Sequence, residues 1–276
     1  MKGNLNMVLK EEKIPKIIHY CWYGKSEKPE IFYKCLESWK RFMPDWEIIE
    51  WNESNTKWCN NSFLSDAYNN QKWAFISDVV RLQVVYEYGG IYLDTDVELY
   101  KSLEYLTQYK MFMFFQNHNQ LNTGLGFGAQ KNNLLIKKML DDYSTISFSI
   151  KQLNELACPF RNTDVVQREF SKIVLNNTTQ NIQGNVFICF EEYCAIAHHY
   201  GEFSWKNDEQ AAALKYSKKN MKFWRLRKRL RNPSIFLFFE KYNLIFISKF
   251  YRFCVYDLID YGCLYWIVRF IQKLKR

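Results

Sequence analysis

Short apolar runs alternate with amphipathic stretches along most of the chain. Ile14–Trp22 is β-branched and aromatic and closes at Gly24, which predicts a buried strand running into a loop. Glu30–Arg41 places Phe32, Cys35, Leu36 and Trp39 at helical spacing, and Pro44 follows its end. Trp46–Trp51 predicts a second short strand, and the Asn-rich stretch Asn52–Asn61 a loop. Gln71–Tyr88 is helical in pattern, and Gly89-Gly90 stops it. Ile91-Tyr92-Leu93 then predicts a buried strand that runs into Asp94-Thr95-Asp96. Met111–Phe115 and Val186–Phe190 predict further strands, and Leu134–Asp142 a helix. Strands alternating with helices argue for an α/β fold, a sheet with helices on its faces.

From Lys218 the pattern changes. This tail holds 15 Lys or Arg against three acids, while the rest of the chain holds 23 against 26. The formal net charge of +9 therefore reports almost wholly on the tail. Its basic run Lys222–Arg231 is interleaved with Phe223, Trp224, Leu226 and Leu230. Its longest uncharged stretches, Asn232–Phe239 and Tyr261–Val268, are eight residues each, against the ~20 of a spanning helix. On a helical wheel the charges at 241, 249, 252, 257 and 260 leave a broad apolar face. The expectation is a body at 1–217 and a basic, amphipathic helical appendage at 218–276. That appendage suits an anionic membrane surface or packing on the body.

Composition narrows the function classes. An apolar fraction of 48% with 18% aromatics excludes a disordered chain. A slightly acidic body argues against nucleic acid as a partner. The eight cysteines form no CxxC pair, and several lie in apolar runs, so reduced, buried thiols are expected. Met1–Lys13 lacks the apolar core of a signal peptide. The expected location is cytoplasmic, including the inner face of a membrane.

The candidate chemistry lies in Ser77-Asp78-Val79-Val80-Arg81 and Gly89-Gly90-Ile91-Tyr92-Leu93-Asp94-Thr95-Asp96. In extended chain, Asp94 and Asp96 project to one side, roughly 6–7 Å apart. Two carboxylates past a strand end suit a hard divalent cation, which would bind the oxygens of a phosphate ester. Asp78 and Arg81 share a helical face, and the Gly89-Gly90 turn leads directly to the carboxylates. All four charged groups are expected to converge at one edge of the sheet.

IPKIIHYCWYG (Ile14–Gly24), SDVVR (Ser77–Arg81) and GGIYLDTD (Gly89–Asp96) resemble the DXD-containing sugar transferases of glycosyltransferase family 32. That family includes capsular-polysaccharide transferases and an initiating mannosyltransferase, and is distantly similar to clostridial glucosylating toxin domains. The resemblance is strong over 14–100, looser over 110–205 and absent in the tail. It implies a GT-A fold, a nucleotide-sugar donor and Mn2+ or Mg2+. It implies that Trp22 stacks on the donor base and His19 shapes the same strand end. Asp78, Arg81 and Ser77 would hold the donor sugar and phosphate, and Tyr92 would line the nucleotide pocket. Asp94 and Asp96 would ligate the metal, and Asn122 would lie near the sugar. His198-His199-Tyr200-Gly201-Glu202-Phe203-Ser204-Trp205 resembles the family's HH…SW segment. There Ser204 and Trp205 would meet the diphosphate and His199 the metal, with the choice between His198 and His199 open.

The implied activity is metal-dependent, retaining transfer from a nucleotide sugar, UDP-linked in the first instance, to a glycan or lipid-linked acceptor. The setting would be bacterial surface-polysaccharide synthesis. Rival readings are a phosphatase of the haloacid-dehalogenase type using Asp94 and Asp96, a glycosidase using the same pair, and a non-catalytic membrane-surface module.

Overall fold

The computed structural model describes residues 13–58, 61–116 and 119–201. The expected tail, the boundary at 217 and the residues Ser204 and Trp205 lie outside the described residues.

Within them the chain runs β1 (Ile17–Cys21), α1 (Glu30–Phe42), β2 (Glu47–Trp51), α2 (Ser62–Asn69), α3 (Trp73–Tyr88), β3 (Gly90–Tyr92) and β4 (Val97–Leu99). It continues β5 (Met111–Phe114), β6 (Phe127–Ala129), α4 (Leu134–Ser144), α5 (Leu153–Leu156) and α6 (Cys158–Glu169). Last come β7 (Gln180–Ile182), β8 (Asn185–Ile188), α7 (Phe190–Ile196) and β9 (Ala197–His199). A seven-stranded sheet has the order β2-β1-β3-β6-β5-β8-β7, and β4 pairs with β9 in a separate ribbon. β1 is parallel to β2 and β3, β5 is parallel to β8, and β6 is antiparallel to both β3 and β5. This mixed sheet with helices on both faces is the α/β class that the sequence predicts.

Strand alternation explains the two cores. Met111 and Met113 join the cluster under α2, α3, α4 and α6, while Phe112 and Phe114 join the one under α1 and α7. All four are buried, so β5 reads as a continuous apolar run. Burying each such side chain contributes about 1.5–3 kcal/mol. On the α1 face, Trp39 is fully buried and its indole N–H donates to Val97 O at 2.7 Å.

Several elements differ from expectation. α2 has no predicted counterpart and begins just past the stretch expected to be loop, whose last residue, Asn61, caps it by accepting from Phe63 N and Leu64 N. α3 starts at Trp73, since Gln71 has a left-handed backbone (φ 54°) that a helix cannot hold. α6 carries no predicted counterpart; its buried face includes Asn162 and Thr163, so few apolar residues mark it, and Pro159 in its first turn is the start signal.

Candidate active site

The site is assembled at the ends of β1 and β3, where α3, the loop after β3 and β9 meet. Asp94 and Asp96 do not lie in extended chain. β3 ends at Tyr92, and Val97 N donates to Asp94 O at 3.0 Å, closing a turn over Asp94–Val97. The expected same-side projection is therefore corrected: the turn, together with β9, brings these carboxylates together.

α3 supplies the cation. Arg81 Nε donates to Ser77 O at 2.9 Å, which lays the side chain back along its own helix. Its Nη2 lies 3.0 Å from Asp78 Oδ1 and 3.2 Å from Asp94 Oδ1. Its guanidinium carbon sits 4.7 Å from the centre of the Tyr92 ring, a cation–π contact in a buried setting. Tyr92 Oη donates to the same Asp94 Oδ1 at 3.0 Å. Arg81 Nη1 is buried and has no hydrogen-bond partner.

The Asn122–Leu125 loop forms the wall beside this group. Asn122 Oδ1 accepts from Gly124 N at 2.6 Å, and its Nδ2 donates to Gln116 Oε1 at 2.9 Å. A Cβ on Gly124 would lie 2.7 Å from Asp94 Oδ2 and 3.3 Å from Arg81 Nη1. Only glycine lets the loop pack this close to Asp94 and Arg81. Behind it, Cys158 N, in the first turn of α6, donates to Asp78 Oδ2 at 3.3 Å.

β9 supplies the histidine. His199 Nε2 lies 3.1 Å from Asp96 Oδ1 and 4.0 Å from Asp94 Oδ2. His198 faces elsewhere, with its ring 4.6 Å from that of Tyr200. The structure thus brings His199, not His198, to the carboxylates. One ligand atom each from Asp94, Asp96 and His199 falls within 4.8 Å of the others. Two carboxylates and an imidazole at that separation fit a divalent cation such as Mn2+ or Mg2+.

The electrostatics agree. Burial pushes the Asp78 carboxyl up to about 6, against the opposing pull of Arg81. Burial also raises Asp94; Arg81 opposes that rise, while the neighbouring charge of Asp96 adds to it. Burial alone would lower His199, but the carboxylates of Asp96 and Asp94 outweigh it and raise it. Three acids around one arginine leave a local excess of negative charge, which a divalent cation would neutralise.

Other expected residues are placed differently. Trp22 is half-buried at the end of β1, its indole N–H donating to Ser26 O at 2.8 Å. His19 requires a correction. It is fully buried, with Nδ1 accepting from Trp51 Nε1 at 3.1 Å and Nε2 donating to Gly89 O at 2.8 Å. Both nitrogens are committed, so His19 pins the Gly89 turn and offers neither nitrogen to a donor. Ser77 acts here through its carbonyl, and its hydroxyl donates to Trp73 O at 3.1 Å. Gly124 and Cys158 were not foreseen; the Cys158-Pro159 helix start was the available signal for the second.

Residues 29–113 match the family model described as a glycosyltransferase sugar-binding region containing a DXD motif. Residues 29–113, about a third of the chain, thus resemble a DXD-containing glycosyltransferase region. The match encloses Asp78, Arg81, Asp94 and Asp96. The chain shares 35% identity over 104 residues with inositol phosphoceramide mannosyltransferase 3 of Schizosaccharomyces pombe, covering 35% of this chain and 28% of that one. With inositol phosphoceramide mannosyltransferase 1 of the same yeast it shares 33% over 113 residues, covering 37% and 34%. The alignments with these curated relatives thus span about a third of their length, or less. Among solved structures, the PaToxG glycosyltransferase superposes with a TM-score of 0.48 at 19% identity, covering 58% of this chain and 71% of that one. A glycosyltransferase involved in glycosylation of the major capsid of PBCV-1 gives 0.36 at 13%, covering 63% and 81%.

Proposed function

We propose that this protein is a metal-dependent, retaining glycosyltransferase. It moves a hexose from a nucleotide-sugar donor, UDP-linked in the first instance, to a glycan or lipid-linked acceptor in bacterial surface-polysaccharide synthesis. The observation that carries the reading is Arg81 Nη1, a buried donor without a hydrogen-bond partner, in the same cluster as Asp94 and the Asp94–Asp96–His199 group. An unpaired buried guanidinium nitrogen costs about 1–3 kcal/mol or more, which an oxygen-rich ligand would recover.

In this reading Asp94, Asp96 and His199 hold the cation, which would supply charge neutralisation at the leaving diphosphate. Arg81 holds the donor against Asp78 and Asp94. Asp78 stays fixed between Arg81 and the α6 amide, so the arginine cannot swing away. No side chain is assigned as base, because a leaving diphosphate oxygen can take the acceptor's proton. The phosphatase alternative is disfavoured, because Asp94 Oδ1 is already held by both Arg81 and Tyr92.

The names of the yeast relatives make GDP-mannose a second donor to test. A panel of UDP-sugars and GDP-mannose, assayed for nucleotide release with Mn2+, Mg2+ or EDTA, decides the matter. Release from one donor, abolished by EDTA, is the expected result; metal-independent hydrolysis of simple phosphate monoesters would overturn it.

The tail at 218–276 is proposed to hold the enzyme on the cytoplasmic face of an anionic membrane, near a lipid-linked acceptor. Among the described residues, no helix is long and apolar enough to cross a membrane. Co-sedimentation with anionic liposomes, lost on truncation at Ser217, is expected.

A further inference from the structure

A polar junction outside the carboxylate cluster ties three elements together. Lys34 Nζ on α1 donates to Glu98 Oε2 on β4 at 2.8 Å and to Tyr200 Oη, just past β9, at 2.6 Å. Tyr200 Oη in turn donates to the same Glu98 oxygen at 2.6 Å. Glu98 is largely buried there, with 15% of its side chain exposed, although Lys34 is exposed.

The same helix covers one edge of β4. Trp39 Nε1 donates to Val97 O at 2.7 Å, and Ser38 Oγ accepts from Leu99 N at 2.9 Å. Backbone groups of alternate residues point to opposite edges of a strand, so α1 serves the edge that β9 does not. On the other edge the register is Val97↔His199, Glu98↔His198 and Leu99↔Ala197. Tyr200 N also donates to Asp96 O at 3.0 Å.

A ribbon of two three-residue strands has little stability of its own. A slip of one residue turns every side chain to the opposite face. In a strand ending His198-His199, such a slip would exchange which histidine faces Asp94 and Asp96. Strand pairing alone does not choose between them, whereas the Lys34–Glu98–Tyr200 junction forms in one register only.

We propose that Lys34, Glu98 and Tyr200 are a register latch that seats β9 on β4 so that His199, and not His198, meets the Asp94–Asp96 pair. These three are positioning residues; they act through His199. The proposal rests on the reading that this cluster holds a cation, and the experiment separates the two ideas.

Mn2+ affinity of the full chain is measured by titration calorimetry for wild type, Tyr200→Phe and Glu98→Gln. The metal-free imidazole signals of 15N-labelled protein are recorded alongside, with His199 assigned by His199→Gln. Both latch variants are expected to bind Mn2+ about tenfold more weakly. They are also expected to broaden or split the His199 ring signals. In the Tyr200→Phe background, the further loss of affinity from His199→Ala should shrink, because His198 shares the position. Wild-type affinity with unchanged His199 signals in both variants would overturn the latch. A wild type that binds neither Mn2+ nor Mg2+ would overturn the cation site, and the ring signals would then decide the latch by themselves.

Discussion

Arg81 Nη2 stands 3.0 Å from Asp78 Oδ1 and 3.2 Å from Asp94 Oδ1, so one guanidinium edge spans the buried Asp78 carboxylate and the partly buried Asp94 carboxylate, from different elements. The contact to Ser77 O and the face of Tyr92 hold that guanidinium on two further sides. Its second edge, at Nη1, is the part left to bind something else.

Arg81→Lys should therefore cost function more than fold. An ammonium keeps the charge but cannot bridge both carboxylates while lying flat over Tyr92. Donor turnover is expected to fall by about a hundredfold, with the thermal midpoint lowered by only a few degrees. Arg81→Ala should instead destabilise by about 3–5 kcal/mol, because it strands the buried Asp78 and the partly buried Asp94. Nucleotide-release kinetics and calorimetry on the two variants read these outcomes separately.

Asp96→Asn and His199→Ala should each weaken Mn2+ binding by more than the roughly tenfold expected of a residue acting from outside the ligand set. The metal-free protein should unfold at nearly the wild-type temperature. Removing Asp96 also removes a like charge beside Asp94. Wild type should gain a Mn2+-dependent rise in thermal midpoint that both variants lack, and an equal rise in all three would contradict the assignment.

Gly124→Ala places a methyl 2.7 Å from Asp94 Oδ2. Because Asp94 Oδ1 is held by Arg81 and Tyr92, the carboxylate cannot yield without breaking one of those contacts. The variant is expected to lose about 1–3 kcal/mol of stability and to raise the KM for the donor. Unchanged donor KM would show that the placement of the Asp94 carboxylate does not matter to the donor.

His19 gives the protein an acid-sensitive stability. Burial lowers its pKa to about 4 from 6.5. The unfolded chain therefore takes up a proton at a higher pH than the folded one. Stability from this residue is present above pH 6.5 and is lost as pH falls from there towards 4. The full difference is about 3 kcal/mol. His19→Gln removes the titration, so the stability gap between wild type and variant, measured by urea unfolding, should narrow from about pH 7 to pH 4.5. A gap of constant size would refute it.

Much of the fold was legible before any coordinates. The strands at Ile17–Cys21, Glu47–Trp51 and Gly90–Tyr92 and the helices at Glu30–Phe42 and Trp73–Tyr88 follow from residue spacing and from Gly89-Gly90. So do Asp78 and Arg81 on one helical face, with Asp94 and Asp96 after the next strand. These signals are local, because periodicity and caps act within a single element. α6 and the cap of α2 were obscured because a buried face that includes Asn162 and Thr163, and an Asn-rich composition, look like loop.

What only the tertiary structure decided is the identity of the groups that meet. His19 lies on the same strand as Trp22, yet packing turns it inward to Trp51 and Gly89, away from a ligand role. His198 and His199 are alike in sequence, and the register in which β9 sits on β4 chooses between them. Asp94 and Asp96 come together through a turn and not through strand alternation. The physical reason is the same in each case. Residue type and spacing set what a segment can do locally, whereas register and burial depend on contacts with segments distant in the chain.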